Sequence, residues 1–376
     1  MDAPFVFLHE VGNDNFVGRS EELLWLTSNL CNKQHSMLIA PSGYGKKSLV
    51  RNAITQAQKQ TDFSVCICNL FNIRDELAFC SHLVTELFKS TCTTTDEWIV
   101  LAEQLLPLSQ PKIEIDKRHN RVQIIFDKQR IQEHIGEVIQ LAERIALQQN
   151  KAILIWINEF QQIADFENSE TLQKRLATQW NQQTMVTYLL CGSKVNAMHN
   201  LFAEKQILHK FCELIDIEPI EKKIFIDYIV KSFMRNGRTI PRDVAETICQ
   251  HTDCYPRYTQ WLAFLCWKKT IGFSNEKIVD AALNDLLSLN EQLFYTWINN
   301  LPVSQINYLE AVINDVDRFS SAETIATYQL HSSANILRVR EALEKKEILR
   351  FVRRKPLFID PVFEYWLRHK YFTAKK

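Results

Sequence analysis

Along roughly the first 215 positions, apolar residues come in short unbroken runs separated by longer amphipathic stretches. The runs "HSMLIA" (35–40), "FSVCICNLF" (63–71), "KAILIWINEF" (151–160) and "TMVTYLLCGS" (184–193) are too continuously apolar for half-exposed strands. They predict strands buried on both faces. Behind the first two, "KKSLVRNAITQAQKQ" and "IRDELAFCSHLVTELFK" have the apolar spacing of helices. Buried strands alternating with helices predict an α/β domain with a parallel sheet covered on both sides. One segment breaks the rhythm: "KIEIDKRHNRVQIIFD" (112–127) alternates on both sides of a polar turn and predicts a hairpin insertion.

From about residue 219 the strand pattern stops. "KKIFIDYIVKSFMRNG" places Phe225, Tyr228, Ile229 and Phe233 on one helical face and ends on Asn236-Gly237, a helix stop. Three more helical patterns follow, so a helical domain is expected over 219–292. The last stretch, 293–376, reads as helices at 303–314, 321–328 and 334–345. Two strands around the basic turn of "EILRFVRRKPLFIDP" come next, and "VFEYWLRHKYF" forms a closing helix. Three helices followed by a small hairpin is the order of a winged helix.

The first strand runs into "APSGYGKKSLV" (40–50). A phosphate-binding loop reads G-x-x-x-x-G-K-[ST], and works because inward-pointing amides, a helix N-terminus and a lysine together hold polyphosphate. Here Ser42, Gly43, Tyr44, Gly45, Lys46, Lys47 and Ser48 stand between a strand and a helix, as that loop requires. Two letters depart from it: Ala40 replaces the first glycine, and Lys47 the hydroxyl residue that holds Mg²⁺. The matching strand "ILIWINEF" puts Asn158 where a metal-binding Asp belongs and Glu159 where the base belongs. Both departures fall on the Mg²⁺ pocket, and neither supplies the anionic oxygen that a hard dication favours. A nucleotide site with impaired hydrolysis is the expectation. Lys47 either neutralises phosphate in the metal's stead or points to solvent.

Composition narrows the classes. The chain has 376 residues, 46% apolar and 23% charged, with 44 basic against 44 acidic side chains, so no whole-protein polyelectrolyte argument applies. No apolar run approaches the roughly 18 residues that span a bilayer. "MDAPFVFLHE" lacks the basic start and apolar core of a secretory leader. A cytoplasmic location without membrane contact is expected. The ten cysteines sit in apolar runs, Cys66, Cys68, Cys191 and Cys266 among them, and read as buried thiols of a reducing compartment. Of only eight glycines, Gly18, Gly43, Gly45 and Gly192 lie in segments already singled out. The ten histidines show no zinc spacing, and no metal site is expected. No Gly-x-Ser-x-Gly elbow supports acyl hydrolysis.

On these residues the chain resembles the archaeal-type ATPases, P-loop proteins within or beside the AAA+ and STAND groups. "NDNFVGRSEEL" resembles the N-terminal box of that family, which would set Phe16, Val17, Gly18 and Arg19 near the adenine. "APSGYGKKSLV" is similar to its Walker A region and "ILIWINEFQQI" to its Walker B strand. "CGSKVNAMHNLF" resembles the sensor strand, making Ser193 the reader of the γ-phosphate. "ILHKF" stands where relatives carry an arginine, with Lys210 the nearest cation. "DCYPRYTQWLA" resembles the lid sensor, giving Pro256 and Arg257 as phosphate contacts.

The resemblance implies a P-loop NTPase parallel-sheet core of the AAA+/ASCE type over 1–218, a helical lid and a C-terminal winged helix. It also implies ATP or ADP as cofactor. A nucleotide-dependent switch with weak or absent hydrolysis is the leading function, beside an active ATPase and a DNA-binding or scaffold protein whose core no longer binds nucleotide.

Residues 331–376 carry 12 Lys/Arg against 5 Asp/Glu. Arg350, Arg353, Arg354 and Lys355 cluster on the expected wing and Arg338 and Arg340 on the helix before it. Such a cluster suits nucleic-acid phosphates, or a protein client reached through the winged helix.

Overall fold

A computed structural model gives the structure and describes residues 4–12, 15–116 and 121–373. The turn of the expected hairpin, Asn13 and Asp14 of the N-terminal box, and the last two lysines of the basic tail lie outside the described residues.

The chain divides into two compact units. One holds Ser20–Ser42 and Leu49–Ile217. Its elements begin with α1 (Ser20–Cys31), β1 (Ser36–Ile39), α2 (Lys46–Ala57), β2 (Phe63–Asn69), α3 (Glu76–Thr91) and α4 (Thr95–Leu105). The hairpin β3 (Lys112–Asp116) and β4 (Arg121–Ile125) follows, then α5 (Lys128–Gln149) and β5 (Ala152–Asn158). A 3-10 turn (Phe160–Asp165), α6 (Ser169–Trp180), β6 (Val186–Gly192), α7 (Val195–Leu201) and β7 (Glu213–Asp216) complete it.

The four expected strands and a fifth, β7, form a parallel sheet in the order β2-β5-β6-β1-β7. Every residue of β1 and β6 is buried, which is why their sequences show no alternation. β7 was not legible, because its four residues carry charges at both ends and lie at the sheet edge. The hairpin pairs antiparallel with Lys112 opposite Ile125 and stays out of the main sheet. Trp180 stacks on Tyr188 with centroids 4.0 Å apart, both fully buried. Each such ring contributes about 1.5–3 kcal/mol by leaving water.

The sheet order decides where chemistry can sit. β5 and β6 both stand between β1 and β2, so the C-terminal ends of β1, β6 and β5 lie side by side. Asn158 ends β5, Gly192 ends β6, and the phosphate loop leaves β1 at Ala40, whose amide donates to the Gly192 carbonyl. Ligands of open parallel sheets bind at this edge.

The other unit comprises the segment up to Arg19, Gly43–Ser48 and Glu218–Lys376. It contains α8 (Lys222–Arg235), α9 (Arg242–His251), α10 (Pro256–Lys269), α11 (Glu276–Asn299), α12 (Val303–Ile313), α13 (Ala322–Thr327) and α14 (Ser333–Lys345). The hairpin β8 (Leu349–Val352) and β9 (Lys355–Phe358) precedes α15 (Pro361–Trp366) and a π turn (Leu367–Tyr371). One apolar cluster runs through this unit from Phe225 and Phe233 to Phe294, Phe363 and Trp366. Residue 293, the expected start of the last domain, falls inside α11. The N-terminal segment docks here: Phe5 is buried, Phe7 stacks on Trp261, and Gln260 Oε1 accepts the Val6 amide at 3.2 Å.

Candidate nucleotide site

Within the sheet unit, the residue after β5 carries the candidate base. Glu159 adopts the left-handed conformation (φ 56°, ψ 42°), turning the chain sharply off the strand. Its Oε2 accepts the Ser193 hydroxyl at 2.5 Å and the Gln161 amide at 2.7 Å. The expected sensor and base are thus hydrogen-bonded to each other, with Asn158 buried beside them in the chain. Gln161 was missed by the sequence reading. Its only signal was a buried amide two residues past the base, and its Oε1 has no partner among the described residues. Gly192 is required for space: a Cβ there would lie 2.2 Å from Met198 Cγ and 2.8 Å from Gln161 Oε1. Lys210 is exposed.

In the helical unit, Gly43 and Gly45 take positive φ (87° and 85°), and α2 starts at Lys46. Lys46 and Ser48 are buried, while Ser42 and Lys47 are exposed. The Ser48 hydroxyl accepts the Val11 amide at 2.9 Å. The Gly43 carbonyl accepts the Arg257 amide at 3.2 Å. That amide belongs to the first turn of α10, which opens on Pro256, so the loop satisfies one of the helix's orphan donors. A Cβ on Gly43 would stand 2.9 Å from Arg257 Cβ and 3.2 Å from the Tyr255 ring. Tyr44 meets Tyr255 edge-on at 4.6 Å.

Arg19 is buried and donates to the Glu218 carbonyl at 2.5 Å and the Tyr44 carbonyl at 3.4 Å. Phe16 and Val17 are half-buried before it, and a Cβ on Gly18 would press within 2.6 Å of Ile220. Burial raises the Tyr44 phenol's pKa, and the Arg350 guanidinium is the strongest charge opposing that rise, with Asp253, Arg19 and Glu218 also acting on it. The charge of Arg350, expected only on an outer basic surface, thus reaches Tyr44 of the phosphate loop. No spacing in the sequence signals that.

At the tip of the hairpin, Arg353 and Arg354 fill a two-residue turn with φ 48° and 70°. Two positive φ values make this the type I′ turn that Asn-Gly favours. Arg338, Arg353, Arg354 and Lys355 are exposed, whereas Arg340 lies over the Phe351 ring at 4.3 Å.

The loop's positive-φ glycines, the helix start and Lys46 fit a polyphosphate. Lys47 and Asn158 do not fit Mg²⁺, since one is a cation and the other a neutral amide. No group of three or more His, Cys, Asp or Glu among the described residues could hold a metal ion. No described helix is long and apolar enough to cross a membrane.

The model of the family described as Novel STAND NTPase 1 matches residues 7–265, more than half of the chain. The chain belongs to the novel STAND NTPase 1 family. This bears out the expected kinship with P-loop ATPases of the STAND and AAA+ groups. Solved structures agree in fold. The Walker-type ATPase of Pyrococcus abyssi has 14% identity and a TM-score of 0.68, over 97% of this STAND chain and 99% of its own. The ORC2 protein of Aeropyrum pernix, solved as ADPNP–ADP complexes, has 11% identity and a TM-score of 0.59, over 96% and 97%. The ORC1 protein of the same organism, solved with DNA, has 13% identity and a TM-score of 0.50, over 96% and 95%. No curated protein matches this chain.

Proposed function

We propose that this STAND-family chain binds ATP or ADP at its phosphate loop and works as a nucleotide-dependent conformational switch with weak or absent hydrolysis. The observation that carries the reading is that Arg19 donates to the Tyr44 carbonyl and Arg257 packs against Gly43, with the charge of Arg350 also reaching Tyr44. Three segments far apart in sequence bring cations to the loop already marked by Lys46. Guanidiniums are suited to phosphate because their planar donors pair with its oxygens. In this reading residues 219–292 act as a lid and 293–376 as a winged helix, so that polyphosphate on the loop would change what α10 and the β8–β9 hairpin hold.

Hydrolysis is read as impaired because Lys47 and Asn158 offer Mg²⁺ no anionic oxygen, and because the Glu159 carboxylate is already engaged by Ser193 and Gln161. Calorimetry with ATP and with ADP, with and without Mg²⁺, beside a phosphate-release assay tests this. Binding that persists in EDTA with little phosphate release is expected. Rapid Mg²⁺-dependent release would make the protein an active ATPase, and no binding at all would leave a scaffold.

The type I′ turn favours a second role. Two arginines occupy left-handed positions there at a cost of about 1–2 kcal/mol each, and such strain clusters at functional sites. We infer a phosphate-backbone contact with duplex DNA through Arg353, Arg354, Lys355 and Arg338; a protein client is the other use of this surface. Absence of DNA affinity at about 50 mM salt, where phosphate attraction is strong, would remove the DNA role.

A further inference from the structure

We propose that Cys249 and Cys254 are a redox pair, closing a reversible intramolecular disulfide by exchange with a low-molecular-weight disulfide such as oxidised glutathione. The pair is built by the way α9 ends. The Cys254 amide donates to the Cys249 carbonyl at 3.0 Å, and the Asp253 amide to the Gln250 carbonyl at 3.4 Å. Asp253 follows the cap residue Thr252 with φ 48°. These are the two bonds of a Schellman ending, which folds the chain back so that the side chains at Cys249 and Cys254 meet. In most helices an apolar contact fills that place; here the two residues are cysteines, both packed in the apolar cluster of this unit.

Their environments divide the labour. Cys249 is 1% exposed, whereas Cys254 is only half-buried. The neighbouring Cys249 thiol holds the Cys254 thiol below its ordinary pKa, while the same neighbour and burial push Cys249 up. The Lys222 ammonium favours both thiolates; Asp253 opposes the one on Cys254, and Glu246 the one on Cys249. Cys254 is thus the attacking thiol and Cys249 the resolving one. Cys68 senses the charge of Cys66, and Cys212 that of Cys191, but all four are buried and none can begin exchange.

The chemistry balances. The Cys254 thiolate attacks one glutathione sulfur, the old S–S bond breaks, and one glutathione leaves as a thiolate that takes up the proton Cys254 released. Cys249 then loses its proton and attacks the Cys254 sulfur, expelling the second glutathione. Two cysteine thiols are oxidised by two electrons, and one disulfide is reduced to two thiols. The bridge would lie immediately before Tyr255, the residue that opens α10.

The test is to equilibrate the full chain in glutathione buffers of graded redox poise, quench in acid, alkylate, and map peptides by mass spectrometry. Oxidising buffer should yield one linked Cys249–Cys254 species lacking two hydrogens, reversed by dithiothreitol. Cys249→Ser should stop at a glutathione adduct on Cys254, and Cys254→Ser should leave Cys249 unmodified. Full alkylation of both cysteines in the wild-type chain at every poise would overturn the proposal, as would a bridge from Cys254 to any other cysteine. The wild-type map decides the matter even if the buried Cys249 variant fails to fold.

Discussion

The Ser193 hydroxyl and the Glu159 carboxylate are joined at 2.5 Å, so the candidate sensor and the candidate base form one hydrogen-bonded unit at the edge of the parallel sheet. Replacing Ser193 with Ala leaves Gln161 as the one side-chain donor to Glu159 among the described residues. Bonds to charged groups contribute about 1.5–3 kcal/mol when buried, and Glu159 is only half-buried, so a loss of ~1 kcal/mol is expected in urea unfolding. Glu159→Gln should leave phosphate release within about twofold of wild type, far short of the 10²–10⁴-fold contribution of a working general base. A loss on that scale would restore Glu159 as an active base.

The two loop glycines should respond differently to alanine. Both hold left-handed φ, which costs an L-residue about 1–2 kcal/mol. At Gly45 nothing lies within 4 Å of the added methyl, so the backbone cost is all. At Gly43 the methyl meets the Arg257 Cβ at 2.9 Å, and overpacking adds ~1–3 kcal/mol. Thermal unfolding should rank Gly43→Ala clearly below Gly45→Ala. Equal melting temperatures would mean that α10 yields freely from the loop.

Lys46 and Lys47 separate by burial, 46 being buried and 47 exposed. Lys46→Ala should weaken ATP binding at least tenfold, about 1.4 kcal/mol. Lys47→Ser should change affinity in EDTA by less than about threefold, the mark of a side chain in solvent. A larger loss in the second variant would show that Lys47 stands in for the metal.

The type I′ hairpin turn offers a trade of stability against charge. Arg353→Asn with Arg354→Gly installs the residues that turn prefers and should stabilise the chain by about 1–2 kcal/mol. The same change should flatten the salt dependence of DNA binding by about two phosphate contacts. An unchanged slope would place the DNA surface elsewhere.

Two half-buried groups give opposite pH dependences. Burial lowers His35 below its ordinary 6.5, and its Nδ1 accepts the Tyr188 amide, so the folded ring is neutral. The unfolded chain binds the extra proton, and this contribution is lost as pH falls below 6.5. Burial raises Asp360 above 3.8 despite donors from Tyr258, Phe363 and Val362 and the charge of Arg257. There the folded state binds the proton, so stability falls as pH climbs from 3.8 toward the raised value. Asp360→Asn should gain on wild type as pH rises through that window in urea titrations. His35 should titrate by NMR below 6.5.

The sequence by itself determined what is written in local pattern. Three strands were legible because burial on both faces leaves unbroken apolar runs; β2 has the same apolar look but, as an edge strand, leaves Val65 and Ile67 half-buried, against the expectation. The loop was legible because glycines and a lysine must stand between a strand and a helix, and the C-terminal hairpin because two short strand-like runs flank a basic turn. Tertiary structure decided what depends on chain segments meeting. β7 is too short and too charged at its ends to have a pattern of its own, and only its pairing with β1 makes it a strand. The Gln161 bond to Glu159, the reach of Arg350's charge to Tyr44, and the turn that brings Cys254 back toward Cys249 are likewise settled by tertiary structure. Periodicity reports which face of an element is buried, and not which side chain of a distant segment it is buried against.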